Sequence, residues 1–388
     1  MGCSCVGDSV YREFMRFWPF RERPVPPSAD SSAFAIAELA PQLGGVLAVE
    51  QVRAEGHALA FGGRLLQSPQ AAITSLQPRF RSFGYTPFLQ ANDGLTWVRA
   101  LPFVEVERPS RPRVNIILFV LTVLSTVVAG SGAFFDFNPF TEPLKLAKGF
   151  PFAFTLLGIL GTHEFGHYFT ARHYGASVSL PYFIPAPPPF LFGTLGAIIR
   201  MRSPARDRNS LFDIAAAGPL AGLIVALPAL WLGLSWSKVG PVPSGGAVVF
   251  GDSLAMQFMT WLVFGPLPSG HDVFVHPVAL AGWVGLFVTA LNLIPVGQLD
   301  GGRIAYALFG ARHRQVSVAT FLALLVLGAI TGSGNWFVWA FLLFFVMGFQ
   351  HQPPLDDLSP LSPARYAVGV GCLILLVLLI PPVPIAIQ

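Results

Sequence analysis

Charge is scarce in this chain. Only 11% of its 388 residues are Asp, Glu, Lys or Arg, against 53% hydrophobic. Soluble domains carry about a quarter charged residues, so the deficit excludes an ordinary water-soluble fold. Cysteine is nearly absent: Cys3, Cys5 and Cys372 are an odd count without metal-type pairing. That excludes a disulfide framework and leaves metal binding to other side chains. No RNP, zinc-ribbon or heptad pattern is present, and the net charge of +4 is small with its arginines clustered. Nucleic acid is therefore not an expected partner. The first apolar run, Arg16 to Phe20, is too short and too interrupted for a secretory signal. Val6 stands where a myristoylation pattern needs Ser or Thr, so the Met-Gly-Cys start is not read as a lipid anchor. Glutamate also runs out early, Glu164 being the last in the chain.

What the chain has is apolar length. Thirty-five phenylalanines and a mean hydropathy of +0.60 predict an all-α polytopic membrane protein with a small N-terminal α+β cytoplasmic domain. Hydrophobic segments follow one another at about 114–135, 149–174, 211–236, 277–308, 315–331, 335–350 and 364–382. Each is near the roughly 20 residues that cross a hydrocarbon core, giving about seven transmembrane helices. Residues 1–32 read as a tail and linker, with Pro24, Pro26 and Pro27. Residues 33–112 read as the small domain, and 113–382 as the membrane domain. Within the small domain, 45–49 and 57–61 look like paired strands and 69–83 like an amphipathic helix. Phe88–Gln90 and Thr96–Val98 look like a hairpin across Asn92-Asp93-Gly94. Arg172, Arg200, Arg202, Arg206 and Arg208 follow the second span, Arg312 and Arg314 the fourth, and Arg365 precedes the seventh. These loops are expected in the cytoplasm, and Arg108, Arg111 and Arg113 put the small domain there too.

His163-Glu164-Phe165-Gly166-His167 lies inside one of these apolar stretches, where ionisable side chains are expensive to keep. HExxH on a helix sets two imidazoles one turn apart for a single Zn²⁺, with the Glu beside the open coordination position. A third ligand is needed. His173 has metzincin spacing, but Thr170 replaces the glycine that turns the chain there. On an unbroken helix His173 lies roughly 9 Å along the axis from His167 and on another face. A downstream Glu does not exist, which leaves Asp207, Asp213, Asp252, Asp272, Asp300, Asp356 and Asp357. Asp300 ends a span broken by Pro295 and Gly297, in Asn292-Leu-Ile-Pro-Val-Gly-Gln-Leu-Asp-Gly-Gly302. Two readings stand for it: a third metal ligand, or the cap of a helix starting near Gly301. Spans two and four both run toward the cytoplasm, which brings His163, His167 and Asp300 to one depth and favours the ligand.

With these motifs and Ala217-Gly218-Pro219-Leu220-Ala221-Gly222, the chain resembles the site-2 protease family of intramembrane zinc metalloproteases over about 150–310. Phe192–Ala197 and the Phe61-Gly62-Gly63-Arg64 run are similar to the plant chloroplast and cyanobacterial branch. No transit-peptide-like leader is visible, so a bacterial cytoplasmic membrane is expected. The resemblance implies an enzyme that holds Zn²⁺ by His163, His167 and Asp300, with Glu164 as general base. It implies cleavage of a peptide bond in or near the transmembrane segment of a single-pass membrane protein. It places Asn292 at the site as a substrate or oxyanion partner; the alternative is that Asn292 satisfies backbone freed by the helix break. Gly158, Gly161, Thr162 and Gly166 are expected to let helices approach closely. Ser177–Gly196, with alternating Val178, Leu180 and Tyr182, is expected to form a hairpin or re-entrant element, and residues 350–357 a solvated connector. A rival class is a transporter or zinc-responsive membrane protein, since broken helices and intramembrane carboxylates also mark ion pathways. It offers no reason for a Glu directly after His163.

Overall fold

The computed structural model describes residues 29–55, 58–104, 112–134, 142–187, 190–242 and 248–387. Met1–Val6, where a lipid anchor is not expected, most of the proline-rich linker, His57, and Arg108 and Arg111 lie outside them. The chain divides into two units. One takes its residues up to Arg108 together with Arg202–Leu211 and Gln352–Ser362, and the other holds the remainder.

In the first unit, α1 (Ala29–Leu39), β1 (Leu47–Glu55), β2 (Ala58–Leu65), α2 (Pro69–Arg81), β3 (Thr86–Asn92) and β4 (Leu95–Leu101) follow in order. The strands form an antiparallel sheet ordered β1-β2-β4-β3. Asp93 and Gly94 both take positive φ, 51° and 77°, the backbone a two-residue hairpin turn requires. The Ser68 Oγ accepts from the Ala71 N–H and Pro69 opens α2, a start that satisfies an orphan donor. Ile73, Leu76 and Phe80 recur at helical spacing on the buried face of α2. They meet Leu59, Phe61, Phe88, Leu89 and Val98 of the sheet.

β3 is the edge of this sheet, and an isolated bridge joins it there. The Leu89 N–H donates to Leu355 O at 2.7 Å, the Asp357 N–H to Leu89 O at 3.1 Å, and the Leu355 N–H to Ala205 O at 2.9 Å. Leu355 joins the core at 5% exposure, and Asp356, 1% exposed, accepts from the Leu358 and Ser359 amides. Arg208 Nε meets Asp357 Oδ1 at 2.8 Å. The expected solvated connector is therefore buried at Pro354–Asp356 and makes isolated parallel bridges from Asp356 to Leu89 of β3 and to Asp207. Its apolar content is one leucine between prolines and aspartates, too little for a strand pattern to register.

The second unit comprises α3 (Pro112–Phe134), α4 (Phe150–His173), β5 (Tyr182–Pro185), β6 (Thr194–Ile198), α5 (Arg208–Ser235, from Phe212 on), β7 (Lys238–Pro241) and β8 (Val248–Phe250). It continues with α6 (Leu254–Phe264), β9 (His271–Phe274), α7 (Pro277–Leu293), α8 (Asp300–Phe309), α9 (His313–Thr331), α10 (Gly334–Leu342), α11 (Pro363–Leu379) and β10 (Ile385–Ile387). Four stretches are long and apolar enough to cross a membrane by length and composition: Pro112–Gly132, Pro143–His173, Arg208–Ser235 and Asp300–Thr331. Pro277–Leu293 and Pro363–Leu379 fall short of that length. The span expected at 277–308 is divided, because α7 ends at Leu293 and α8 begins at Asp300.

Helix α3 is inverted relative to a soluble helix. Ile116, Ile117, Val120 and Leu124 are exposed, whereas Asn115, Thr122 and Thr126 are buried, the arrangement hydrocarbon favours. Asn115 Nδ2 donates to Leu180 O at 3.1 Å and to Pro181 O at 2.8 Å, and Ser125 Oγ donates to Gly193 O at 2.6 Å. These bonds pin both ends of the β5–β6 hairpin to α3. The hairpin overlaps the stretch where one was expected, but its first strand starts only at Tyr182 and its second ends at Ile198, past Gly196; Val178 makes an isolated bridge to Met201. Replacing Asn115 by Leu leaves two carbonyls without this donor and is expected to destabilise the fold by about 1–3 kcal/mol. Thermal unfolding in detergent measures it.

Helix α4 packs against both α3 and α7. Of the four small residues expected to allow close approach, only Gly166 meets a neighbouring helix, its Cβ direction ending 2.7 Å from Ala217 O in α5. Gly158 faces open space and Gly161 meets only Phe183 at 3.9 Å. Thr162 Oγ1 bonds back to Gly158 O at 2.8 Å.

Candidate metal centre

Three residues on one helical segment do most of the assembly. His163 and His167 lie one turn apart on α4, each 3% exposed, with Glu164 between them at 6%. Their Nε2 atoms are 3.1 Å apart, and Asp300 Oδ2 stands 3.4 Å from His163 Nε2 and 3.1 Å from His167 Nε2. Ligands about 2.0–2.1 Å from a tetrahedral zinc are separated by about 3.3 Å, so the three atoms are spaced like one face of that tetrahedron. Among the described residues this is the group of three His, Cys, Asp or Glu side chains able to hold a metal.

The tautomer of His167 also fits. Its Nδ1 lies 2.6 Å from Ile214 O. A carbonyl only accepts, so Nδ1 carries the hydrogen, and Nε2 of the neutral ring presents its lone pair to the site.

Asp300 arrives by a break in the helix. Pro295 cannot continue the ladder of α7, and Gly297 turns the chain at φ 54°. A Cβ at position 297 would sit 2.5 Å from Gly348 O, so both the angle and the space demand glycine. The freed Pro295 carbonyl accepts from Ser317 Oγ at 3.2 Å. Helix α8 restarts with Leu299 as N-cap and no side-chain cap. The capping role weighed for Asp300 is not what its side chain does; the carboxylate faces the two imidazoles.

Glu164 Oε1 lies 4.0 Å from His163 Nε2. The Ile199 backbone N–H, just past β6, hydrogen-bonds its carboxylate. Asn292 Nδ2 stands 3.2 Å from His163 Nε2, so the broken span delivers two side chains to one place. His173 does not join them: it is exposed at the end of α4, with its ring against Tyr174. Asp213 pairs with Arg365 instead.

Three contributors escape sequence reasoning: the Ile214 carbonyl, the Ile199 amide and Gly218. A Cβ on Gly218 would lie 2.1 Å from His167 Nε2, whereas one on Gly222 would meet His163 Cβ at 3.3 Å. The run Ala217–Gly222 carried the signal, as small residues opposite the histidines. Gly218→Ala is therefore expected to displace His167 and weaken zinc binding by about five- to 150-fold, if the overpacking cost of typically 1–3 kcal/mol falls on the bound form. Gly222→Ala should change it by much less, and titration against a chelator compares the two.

Residues 151–333 match Peptidase family M50, a stretch that contains His163, Glu164, His167, Asn292 and Asp300. The chain is 32% identical over 251 residues to "Probable zinc metalloprotease EGY2, chloroplastic" of Arabidopsis thaliana, covering 63% of this chain and 44% of that protein. It is 32% identical over 299 residues to "Probable zinc metalloprotease EGY1, chloroplastic" of the same plant, covering 70% and 53%. Against "Probable zinc metallopeptidase EGY3, chloroplastic" it is 29% identical over 273 residues, covering 66% and 47%. The chain spans about half the length of these curated relatives. No solved structure shows a significant match. Residues 151–333 thus form a Peptidase family M50, or site-2 protease, domain, and the chain is homologous to plant zinc metalloproteases.

Proposed function

We propose that the chain is an intramembrane zinc metalloprotease that hydrolyses a peptide bond in or near the transmembrane segment of a single-pass membrane protein. The observation that carries this is a buried triangle of His163, His167 and Asp300 donor atoms with the Glu164 carboxylate against it. Zn²⁺, when bound there, supplies Lewis acidity toward water and toward the scissile carbonyl. Glu164 takes a proton from the attacking water as its oxygen bonds to the carbonyl carbon. It returns that proton to the amine nitrogen as the C–N bond breaks. The Ile199 amide helps to hold Glu164 beside the triangle. A ring nitrogen engaged with a metal cannot also accept from Asn292, which leaves that amide to donate to the substrate oxygen.

A peptide bond inside a helix is shielded by its own hydrogen bonds, so the substrate must unwind before it reacts. Among the described residues no third strand pairs with the β5–β6 sheet, and Leu195 and Ile198 of β6 are exposed. The sheet offers the unwound segment a strand to pair with. Helices α7, α10 and α11, with the four longer stretches, supply the about seven membrane passes read from the hydropathy. The arginine-rich connections support a cytoplasmic site and N-terminal unit, in a bacterial membrane whose lipid faces the exposed apolar side of α3. A transporter explains the broken helix but leaves Glu164 without a task.

Purified chain is to be incubated with a model transmembrane substrate and the products mapped by mass spectrometry. Cleavage at one position, lost on chelation and restored by zinc, is the expected result. Zinc flux into liposomes without any cleavage would favour the transporter.

A further inference from the structure

A cluster outside the donor triangle bears on one of its ligands. Arg365, third residue of α11, donates from Nε to Asp213 Oδ1 at 2.8 Å and from Nη2 to Asp213 Oδ2 at 2.7 Å. The Tyr174 hydroxyl donates to the same Oδ2, and Arg365 Nη2 also reaches that hydroxyl at 3.3 Å. This is a fork-on-fork pair, which fixes orientation as a point charge does not. An arginine in the first turn of a helix opposes the helix dipole, so Asp213 is also what makes Arg365 tolerable there.

The chain position of these groups matters more than their strength. Asp213 directly precedes Ile214, whose carbonyl takes the Nδ1–H of His167. Tyr174 follows His167 by seven residues and is the C-cap of α4. Helices α4 and α5 are therefore joined twice in the same sense, with donors on α4 and at its C-cap and acceptors at two consecutive residues of α5. The join is needed because Pro219 lies inside α5. It supplies no N–H to Ala215 O and crowds that turn, so the helix ladder alone does not fix where the neighbouring Ile214 carbonyl points.

We propose that Asp213, Arg365 and Tyr174 are positioning residues for the metal centre: they hold Ile214 in register with α4 and so keep His167 Nε2 turned toward the metal. The proposal rests on the metal reading of His163, His167 and Asp300. None of the three residues touches the donor atoms, and their effect travels through one backbone carbonyl.

The test uses the full-length chain in detergent. Zinc affinity by chelator competition, the absorption spectrum of the Co²⁺ form and thermal stability are measured for wild type, Asp213→Asn, Arg365→Gln, Arg365→Lys, Tyr174→Phe and the double variant Asp213→Asn/Arg365→Gln. Partners that orient a ligating histidine typically contribute 10–100-fold in metal affinity. Asp213→Asn and Arg365→Gln are expected to weaken zinc binding by about that factor and to alter the Co²⁺ spectrum. The double variant should be no worse than the worse single one, Tyr174→Phe milder, and Arg365→Lys partly restored. Folded variants with wild-type affinity and spectrum would overturn the proposal. So would affinity that falls only as thermal stability falls, with the spectrum of the bound form unchanged. Failure of the wild type to bind zinc would instead remove the metal reading beneath it.

Discussion

Glu164→Gln is expected to lower peptide-bond hydrolysis by about 10²–10⁴-fold while zinc stays bound, the range a positioned general base contributes. The substitution is nearly isosteric, and Glu164 is not one of the three donors in the triangle. Glutamine keeps an oxygen for the Ile199 amide and loses the capacity to accept and return a proton. Structure and metal are therefore preserved while proton transfer fails. The comparison of zinc content with turnover on one preparation separates this from a structural defect. Zinc lost together with activity would make Glu164 a ligand. Activity retained with zinc present would remove it from the reaction.

Asp300→Asn is expected to have the opposite profile, losing zinc first and activity as a consequence. Asp300 Oδ2 is the one anionic donor in the group and lies within 3.4 Å of both imidazole nitrogens. An amide oxygen carries no net charge to compensate a divalent cation in a largely buried site, where an uncompensated charge is costly. Since changes to groups that only support a ligand reach 10–100-fold, loss of the ligand itself should weaken zinc binding by more than about 100-fold. Chelator competition on Asp300→Asn beside Glu164→Gln measures it.

How much of this was legible in the sequence follows from the range over which each feature acts. His163, Glu164 and His167 are set by a single helical turn, and that local period is written directly in the chain. Asp300 could be reached because no glutamate follows Glu164 and because Pro295 and Gly297 announce the break that delivers it. Ile199 and Ile214 could not, since they act through backbone atoms that every residue possesses; only the packing of β6 and α5 against α4 selects them. Gly218 was visible as a small residue but not as the space occupied by an imidazole. The bridged segment at Leu355–Asp357 escaped for another reason: its partners at Leu89 and Ala205 are far away in the chain. The expected number of spans rested on apolar length, and length alone carries four stretches across.

The central claim is that His163, His167 and Asp300 hold one zinc ion. X-ray absorption at the zinc edge of the purified chain tests it most directly. The account predicts a first shell of nitrogen and oxygen alone at about 2.0–2.1 Å. It also predicts the outer-shell scattering of two imidazoles, one of which disappears in His167→Ala. Sulfur at about 2.3 Å, or a shell without imidazole in the wild type, would contradict it.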